Sequence, residues 1–513
     1  MGLSILYAPF FFIANIIAEP LGYIADGLST PYQYIITAGG IIYAMIGLVY
    51  FSKIMRQFFS QKIASIIVVI VFFGTNYFHL TIYDGTLLSH NYLFTFYAIL
   101  TYHTIKWYNG DNRLRNTIII GLSIGMITLI RPTEAISVLI PLLWSSKGEN
   151  YFANKLILIK EYYTHILLVL FLIVLVFSPQ MFYWKAVTGQ WFFYSYTNPG
   201  EGLDFLTPYT IDFLFSFRKG WFVYTPIMIF SIIGFYNLYK KNRPIFYTIF
   251  IFILLDIYIS SCWTTWWYAG GSFSSRSLVP AYVLLAIPLG YFIEGIKSNK
   301  GKIIFGTLAS LLIIVNLFQS WQFENGILSK ERMTMKYYFA IFGKTSVSEA
   351  DKKLLLVNRS LDSFEDFNNK DEYKSRSLLH NTLDNKGDTA QSIILDGNKS
   401  FAAGVEIKYS ELTNYDHAWI KGSANIFLPE GYDEAAVLFV ATFEHLGKVY
   451  KYQSYQIDTS TIKYNAWNQI SFYYLTPHIR TTDDKLKVYI WHRGKQKVYV
   501  DDIDIEIFEP KNN

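Results

Sequence analysis

Two rhythms of apolar and polar positions divide the chain. Between residues 3 and 320 apolar side chains come in long runs, at roughly 3–19, 33–52, 63–83, 89–106, 116–130, 132–145, 163–184, 220–239, 244–262, 277–296 and 302–320. A bilayer core takes about 20 apolar residues in helical form and tolerates about 17, so most of these runs predict membrane-spanning helices. The run at 132–145 is short and predicts a re-entrant or partly inserted segment. Residues 321–360 keep helical stretches. After Ser360 the pattern changes to short alternating runs at 401–407, 424–428, 435–442, 450–457, 467–474, 486–491 and 498–508, with turns rich in Asn, Asp and Gly between them. That spacing predicts an antiparallel sandwich. The expected fold is a polytopic α-helical membrane domain over 1–325, of about 10–11 hydrophobic segments, then a helical connector over 326–360 and an all-β sandwich over 361–513.

Composition agrees with a membrane protein. The 513 residues are 52% hydrophobic, 19% aromatic and 16% charged, against about 25% charged in soluble domains. Residues 1–324 hold 20 of the 44 Lys and Arg and 13 of the 39 Asp and Glu, so the last 189 residues carry the remaining 24 and 26. The net charge of +5 therefore comes from the membrane half, where topology explains it and nucleic acid does not. Fifteen of the 20 basic residues fall in alternate connections: Lys53, Arg56 and Lys62; Lys106, Arg113 and Arg115; Lys147, Lys155 and Lys160; Lys240, Lys241 and Arg243; Lys297, Lys300 and Lys302. By the positive-inside rule those connections are cytoplasmic, which places the opposite loops and the region after residue 320 outside. A single cysteine, Cys262, excludes a disulfide within this sequence. Met1-Gly2-Leu3-Ser4 lacks a basic n-region, so no cleavable signal peptide is expected there.

Five basic residues oppose this bias: Arg131, Lys185, Arg218, Lys219 and Arg276. Snorkelling explains Lys185 well. Arg218-Lys219-Gly220-Trp221 instead puts two cations and a glycine at an outer boundary, where they would stabilise a lipid-linked phosphate as leaving group. Arg276 closes the loop Trp263-Thr-Thr-Trp-Trp-Tyr-Ala-Gly-Gly-Ser-Phe-Ser-Ser-Arg276. Its tryptophans and tyrosine read either as an interfacial belt or as a binding surface. Gly270 and Gly271 let backbone approach a ligand, and a guanidinium grips phosphate through two parallel hydrogen bonds. Asp26 and Asp84 are the acids available as general base, although Asp-Gly is equally a turn signal. His90 caps or lines its helix, or binds phosphate. Glu134 is expected to pair with Arg131, and Asp256 to face protein or water rather than lipid. No phosphate-binding loop or dinucleotide fingerprint occurs, and no His or Cys pair has zinc spacing. No cofactor or metal ligand is assigned, and divalent-metal dependence stays open.

In their order, several motifs resemble the GT-C fold glycosyltransferases, particularly bacterial relatives of the protein O-mannosyltransferases and aminoarabinose transferases. The matching pieces are Ala25-Asp26-Gly27 with Pro31-Tyr32, Ser89-His90, Arg131-Pro132-Thr133, Ser178-Pro179-Gln180 with Tyr183-Trp184 and Thr188-Gly189, Ser216-Phe217-Arg218-Lys219-Gly220 with Tyr224-Thr225-Pro226, and Trp266 through Gly271 to Arg276 with Pro280. The resemblance implies inverting sugar transfer from a polyprenyl-phosphate donor to a hydroxyl of a glycan, lipid or protein, outside the cytoplasmic membrane, with Trp266 and His90 lining the donor pocket. It also implies an acid-bearing first external loop upstream of Met1, which makes 3–19 an interfacial helix. The tail resembles a jelly-roll carbohydrate-binding module, in which Trp419, Trp467 and Trp491 stack on sugars or fill the core, and Asp501 and Asp502 bind calcium or form a polar strand edge. Two other classes fit the same pattern. A transporter or flippase for lipid-linked sugar would show internal repeats, and none is evident; a non-catalytic anchor would merely present the sandwich.

Overall fold

The computed structural model describes residues 1–511 apart from 85–86, 145–150, 195–199, 269–270, 360–372, 382–391, 403, 433–435 and 457–461. Side chains of 151–154 and 381 are likewise outside the description. The chain forms two compact units, Met1–Ser195 with Leu203–Lys352, and Tyr196–Gly202 with Lys353–Asn513.

In the helical unit six described helices are long and apolar enough to cross a bilayer: Gly2–Leu21, Thr30–Phe58, Arg113–Ile130, Tyr163–Thr188, Arg243–Ser261 and Asn299–Glu324. Gln61–Phe73 and Asn76–Ile82 pass the same test only as a pair, bent by 65° at the break between them. The apolar runs yield fewer long continuous helices than there are runs, for local reasons. Pro226 cannot donate a helical hydrogen bond, and the run at 220–239 is cut into Trp221–Tyr224, Pro226–Met228 and Ile229–Lys241. The run at 132–145 begins as a 3₁₀ segment, Pro132–Val138, and continues as the short helix Leu139–Leu143. The run at 277–296 yields only Tyr282–Gly295, whose first ten residues are buried in protein. Ser89–Tyr108 has the length of a span but carries His90, Asn91, Thr95, Thr101, His103 and Thr104, all buried within the unit.

Helix starts follow side-chain capping. Asn112, Asn242 and Ser298 accept the backbone N–H three residues on, from Arg115 at 3.2 Å, Ile245 at 3.3 Å and Gly301 at 3.0 Å, which satisfies an N–H that the helix itself leaves unpaired. Packing between spans relies on small residues, because lipid supplies no hydrophobic drive between helices. Gly121 and Gly125 sit against Leu172 and Val176, where a Cβ would come within 2.9 and 2.8 Å. The first helix, Gly2–Ala18, meets others near their ends away from the basic connections. Gly2 lies against Ile130, Tyr7 donates to the Leu87 carbonyl, and Asn15 accepts from Tyr32 at 2.6 Å.

The second unit is an antiparallel sandwich. Its strands are β1 (Tyr373–Asn381), β2 (Ile393–Leu395), β3 (Val405–Lys408), β4 (Trp419–Phe427), β5 (Val437–His445), β6 (Lys448–Gln456), β7 (Trp467–Leu475), β8 (Lys485–His492) and β9 (Val498–Pro510). One sheet has the order β1-β9-β4-β7 with β2 also paired to β9, and the other has the order β3-β8-β5-β6. Alternation aims Leu486, Val488 and Ile490 of β8 and Val500, Ile503, Ile505 and Ile507 of β9 into one core. Asp501 and Asp502 lie where the β4–β9 register shifts, and Asn425 donates to Asp502 at 2.7 Å.

Candidate functional site

The site is built where several helices end on the side away from the basic connections. Arg131 follows Arg113–Ile130, and its Nη1 donates to Nε2 of His90, at the start of Ser89–Tyr108, over 2.7 Å. These two ends therefore share a level. Glu134 accepts from the Tyr97 hydroxyl at 2.7 Å rather than closing a short ion pair with Arg131. Asp256 is buried in protein, with the Ser260 hydroxyl 3.5 Å away.

The loop before Tyr282–Gly295 carries Arg276 and is held in an unusual backbone shape. Tyr268, Gly271 and Ser274 have φ of 57°, 107° and 62°. Left-handed backbone in a non-glycine residue costs about 1–3 kcal/mol and persists only where surroundings over-determine it. Here they do. The Tyr268 hydroxyl donates to Ser277 at 2.6 Å, and Ser275 donates to the carbonyls of Lys219 at 3.0 Å and Phe213 at 3.2 Å. Below them a buried chain runs from Trp221 Nε1 to the Tyr282 hydroxyl at 3.0 Å and on to Asn76 Oδ1 at 2.6 Å, while Asn76 donates to the Phe273 carbonyl at 3.3 Å. Arg276 lies 4.9 Å from the Tyr268 ring centre and donates to the Gly271 carbonyl at 3.4 Å. Its Nε is buried and finds no hydrogen-bond partner among the described residues.

Lys219 joins the same place. It is buried, donates to the Ser272 carbonyl and lies 4.7 Å from the Phe323 ring. Burial first, then the neighbouring Arg218 charge, pulls its ammonium down to about 7. Arg276 and the carboxylates of Glu331 and Asp84 lie within its electrostatic reach. Arg276 in turn is within reach of Asp84 and Arg131. Arg218 stacks 4.0 Å from Trp267 and donates from Nε to the Glu331 carbonyl at 2.6 Å. Among the described residues Arg131, Lys219 and Arg276 form no ion pair with a carboxylate; carbonyls, a histidine and aromatic rings hold them instead.

Two residues that spacing does not single out complete the constellation. His79, after the 65° bend, points Nε2 at Glu324 Oε1 over 2.9 Å and Nδ1 at Asp84 Oδ2 over 3.6 Å. It lies almost 200 residues from Arg276 and 245 from Glu324, so only the fold brings them together.

The other expected residues lie elsewhere. Asp26 accepts from the N–H groups of Leu28 and Ser29, both at 2.8 Å, which holds its carboxyl below the usual range and caps the turn before Thr30–Phe58. Trp266 is buried beside Tyr209 in the helical core, and it is the next residue, Trp267, that faces a cation. Gly271 packs against the Lys330 side chain. Gly270 lies outside the described residues. In the sandwich Trp419 is 1% exposed and packs with Tyr373, so it presents no face for a sugar. Trp467 is half-buried and borders a cavity of about 500 Å³. Trp491 is half-buried and stacked on exposed Phe401, ring centres 6.0 Å apart.

The chain is thus a multi-pass membrane protein with a C-terminal β-sandwich. No protein-family model and no curated protein matches it. Among solved structures it is similar to the apo crystal structure of ArnT from Cupriavidus metallidurans, at 12% sequence identity and a TM-score of 0.38. The match covers 56% of this chain and 49% of that one, about half the length of each.

Proposed function

We propose that the chain is a membrane glycosyltransferase that moves a sugar from a polyprenyl-phosphate donor to an acceptor hydroxyl, with inversion, on the outer side of the cytoplasmic membrane. The observation that carries this reading is the gathering of cations at one end of the helical unit: Lys219 and Arg276 within reach of Asp84, Arg131 within reach of Arg276 and bonded to His90, and Arg218 beside Lys219. Cations held by neutral partners keep their charge available for an incoming phosphate. The resemblance to GT-C glycosyltransferases supplies the donor class. In the reaction the acceptor oxygen forms a bond to the anomeric carbon and its proton passes to Asp84. The bond from that carbon to the phosphate oxygen breaks, and the lipid phosphate departs against Arg276, Arg131 and Lys219. Asp26, engaged in its own turn, has no part in this step. The sandwich lies outside the membrane, with Trp467 and Trp491 as faces for an acceptor sugar.

The test is transfer by membranes or purified protein from a panel of polyprenyl-phosphate sugars. Wild-type protein should consume one donor, and Arg276→Ala should lower transfer by about 10²-fold or more while the protein stays folded. Retained activity in Arg276→Ala removes that residue from the mechanism.

A further inference from the structure

We infer that His79, Asp84 and Glu324 form a binding site for a divalent transition-metal ion. Each offers one ligand atom, and the three atoms lie within 4.8 Å of one another. Imidazole with two carboxylates is a donor set for Zn²⁺ or Mn²⁺ rather than for Ca²⁺ or Mg²⁺, which prefer oxygen alone. Bond lengths to such ions are about 2.0–2.2 Å, so an ion on His79 Nε2 would be met first by Glu324, 2.9 Å from that nitrogen, with Asp84 turned from the Nδ1 side to complete the set.

The site also has the supports that a metal centre needs. The His79 ring is 1% exposed and fixed between Phe273 and Phe323, with ring centres 5.1 and 5.0 Å away. The carboxylates remain reachable, with side chains 24% and 34% exposed. A histidine buried this deeply with acids at both ring nitrogens is either a ligand or a structural link between Asn76–Ile82 and Asn299–Glu324. The broken helix favours the ligand role. Gly74-Thr75 ends one segment and bends the next by 65°, which turns His79 toward the cationic cluster instead of continuing a span. An ion here would lie beside Lys219 and Arg276, which both sense Asp84. Its chemistry would be to polarise an acceptor oxygen or share the charge of a phosphate.

Binding can be read without any transfer assay. The full chain in detergent would be stripped with a chelator, loaded with Zn²⁺ or Mn²⁺, desalted, and examined by elemental analysis and Mn²⁺ electron paramagnetic resonance. The expected result is close to one ion per chain in wild type, with affinity weakened about 10-fold or more in His79→Ala and in Glu324→Gln. Wild-type protein that retains neither ion overturns the inference, whether or not the variants fold. Folded variants that hold the ion as tightly as wild type overturn it equally. Neither failure touches the transferase proposal, which rests on the cations.

Discussion

Asp484 in the sandwich is a buried charge and Arg276 in the helical unit a half-buried one with its Nε buried, and their surroundings differ in kind. Asp484 receives His445 Nδ1, the Tyr450 hydroxyl and the Arg480 N–H, each at 2.7 Å, and the Thr481 hydroxyl at 3.1 Å. Both of its oxygens are filled by groups of its own unit. Arg276 has a long bond to one carbonyl, a ring face, and an Nε with no described partner. A buried charge with every position filled ties strands together and has nothing left to offer. One surrounded by neutral acceptors and other cations is costly to keep, and the cost is recovered when an anion arrives. The contrast is the physical ground for reading a structural knot at Asp484 and for proposing a site at Arg276.

The sharpest break in the comparison is at Arg276. Arg276→Ala should lower transfer by about 10²–10³-fold, the scale of losing one charge-stabilising group, with the thermal unfolding of the purified chain nearly unchanged. Asp484→Ala should do the opposite. It strands His445 and Tyr450 in the core and should destabilise the sandwich by about 3–5 kcal/mol, read as a lower unfolding midpoint and faster proteolysis. Lys219 sharpens the same point through pH. Its ammonium, drawn down to about 7 by burial and by Arg218, is charged below that value and neutral above it. Donor affinity should therefore fall as pH rises through about 7, approaching tenfold per unit. Lys219→Arg should flatten that limb, because arginine keeps its charge. The smallest effect belongs to Asp26. Asp26→Ala removes a turn cap worth about 1 kcal/mol and should leave the transfer rate as it was.

The same contrast explains what was legible in the sequence. Spans and strands are local, so runs and alternation revealed them: seven predicted strand runs meet β3 to β9. Two strands escaped. Tyr373–Asn381 carries Lys374, Arg376 and His380, the charges that an edge strand uses to discourage pairing with other chains, and Ile393–Leu395 is only three residues long. Apolar runs outnumber long continuous helices because run length does not reveal Pro226 cutting a helix or Tyr282–Gly295 lying inside protein. At the site the cations stood out, since Arg131, Arg218, Lys219 and Arg276 violate a charge rule that acts along the chain. His79 and Glu324 violate none. A lone histidine in an apolar run and a glutamate ending a helix are unremarkable until the fold sets them 2.9 Å apart. Residue order in the aromatic loop does not tell that Trp266 turns into the core while Trp267 faces Arg218.

Direct binding of the sugar-free carrier tests the central claim most closely. Polyprenyl phosphate titrated into purified wild-type protein, followed by native mass spectrometry, should bind one molecule per chain, with Arg276→Ala and Lys219→Ala each weaker by about tenfold or more. Equal occupancy in wild type and in both variants would contradict the account.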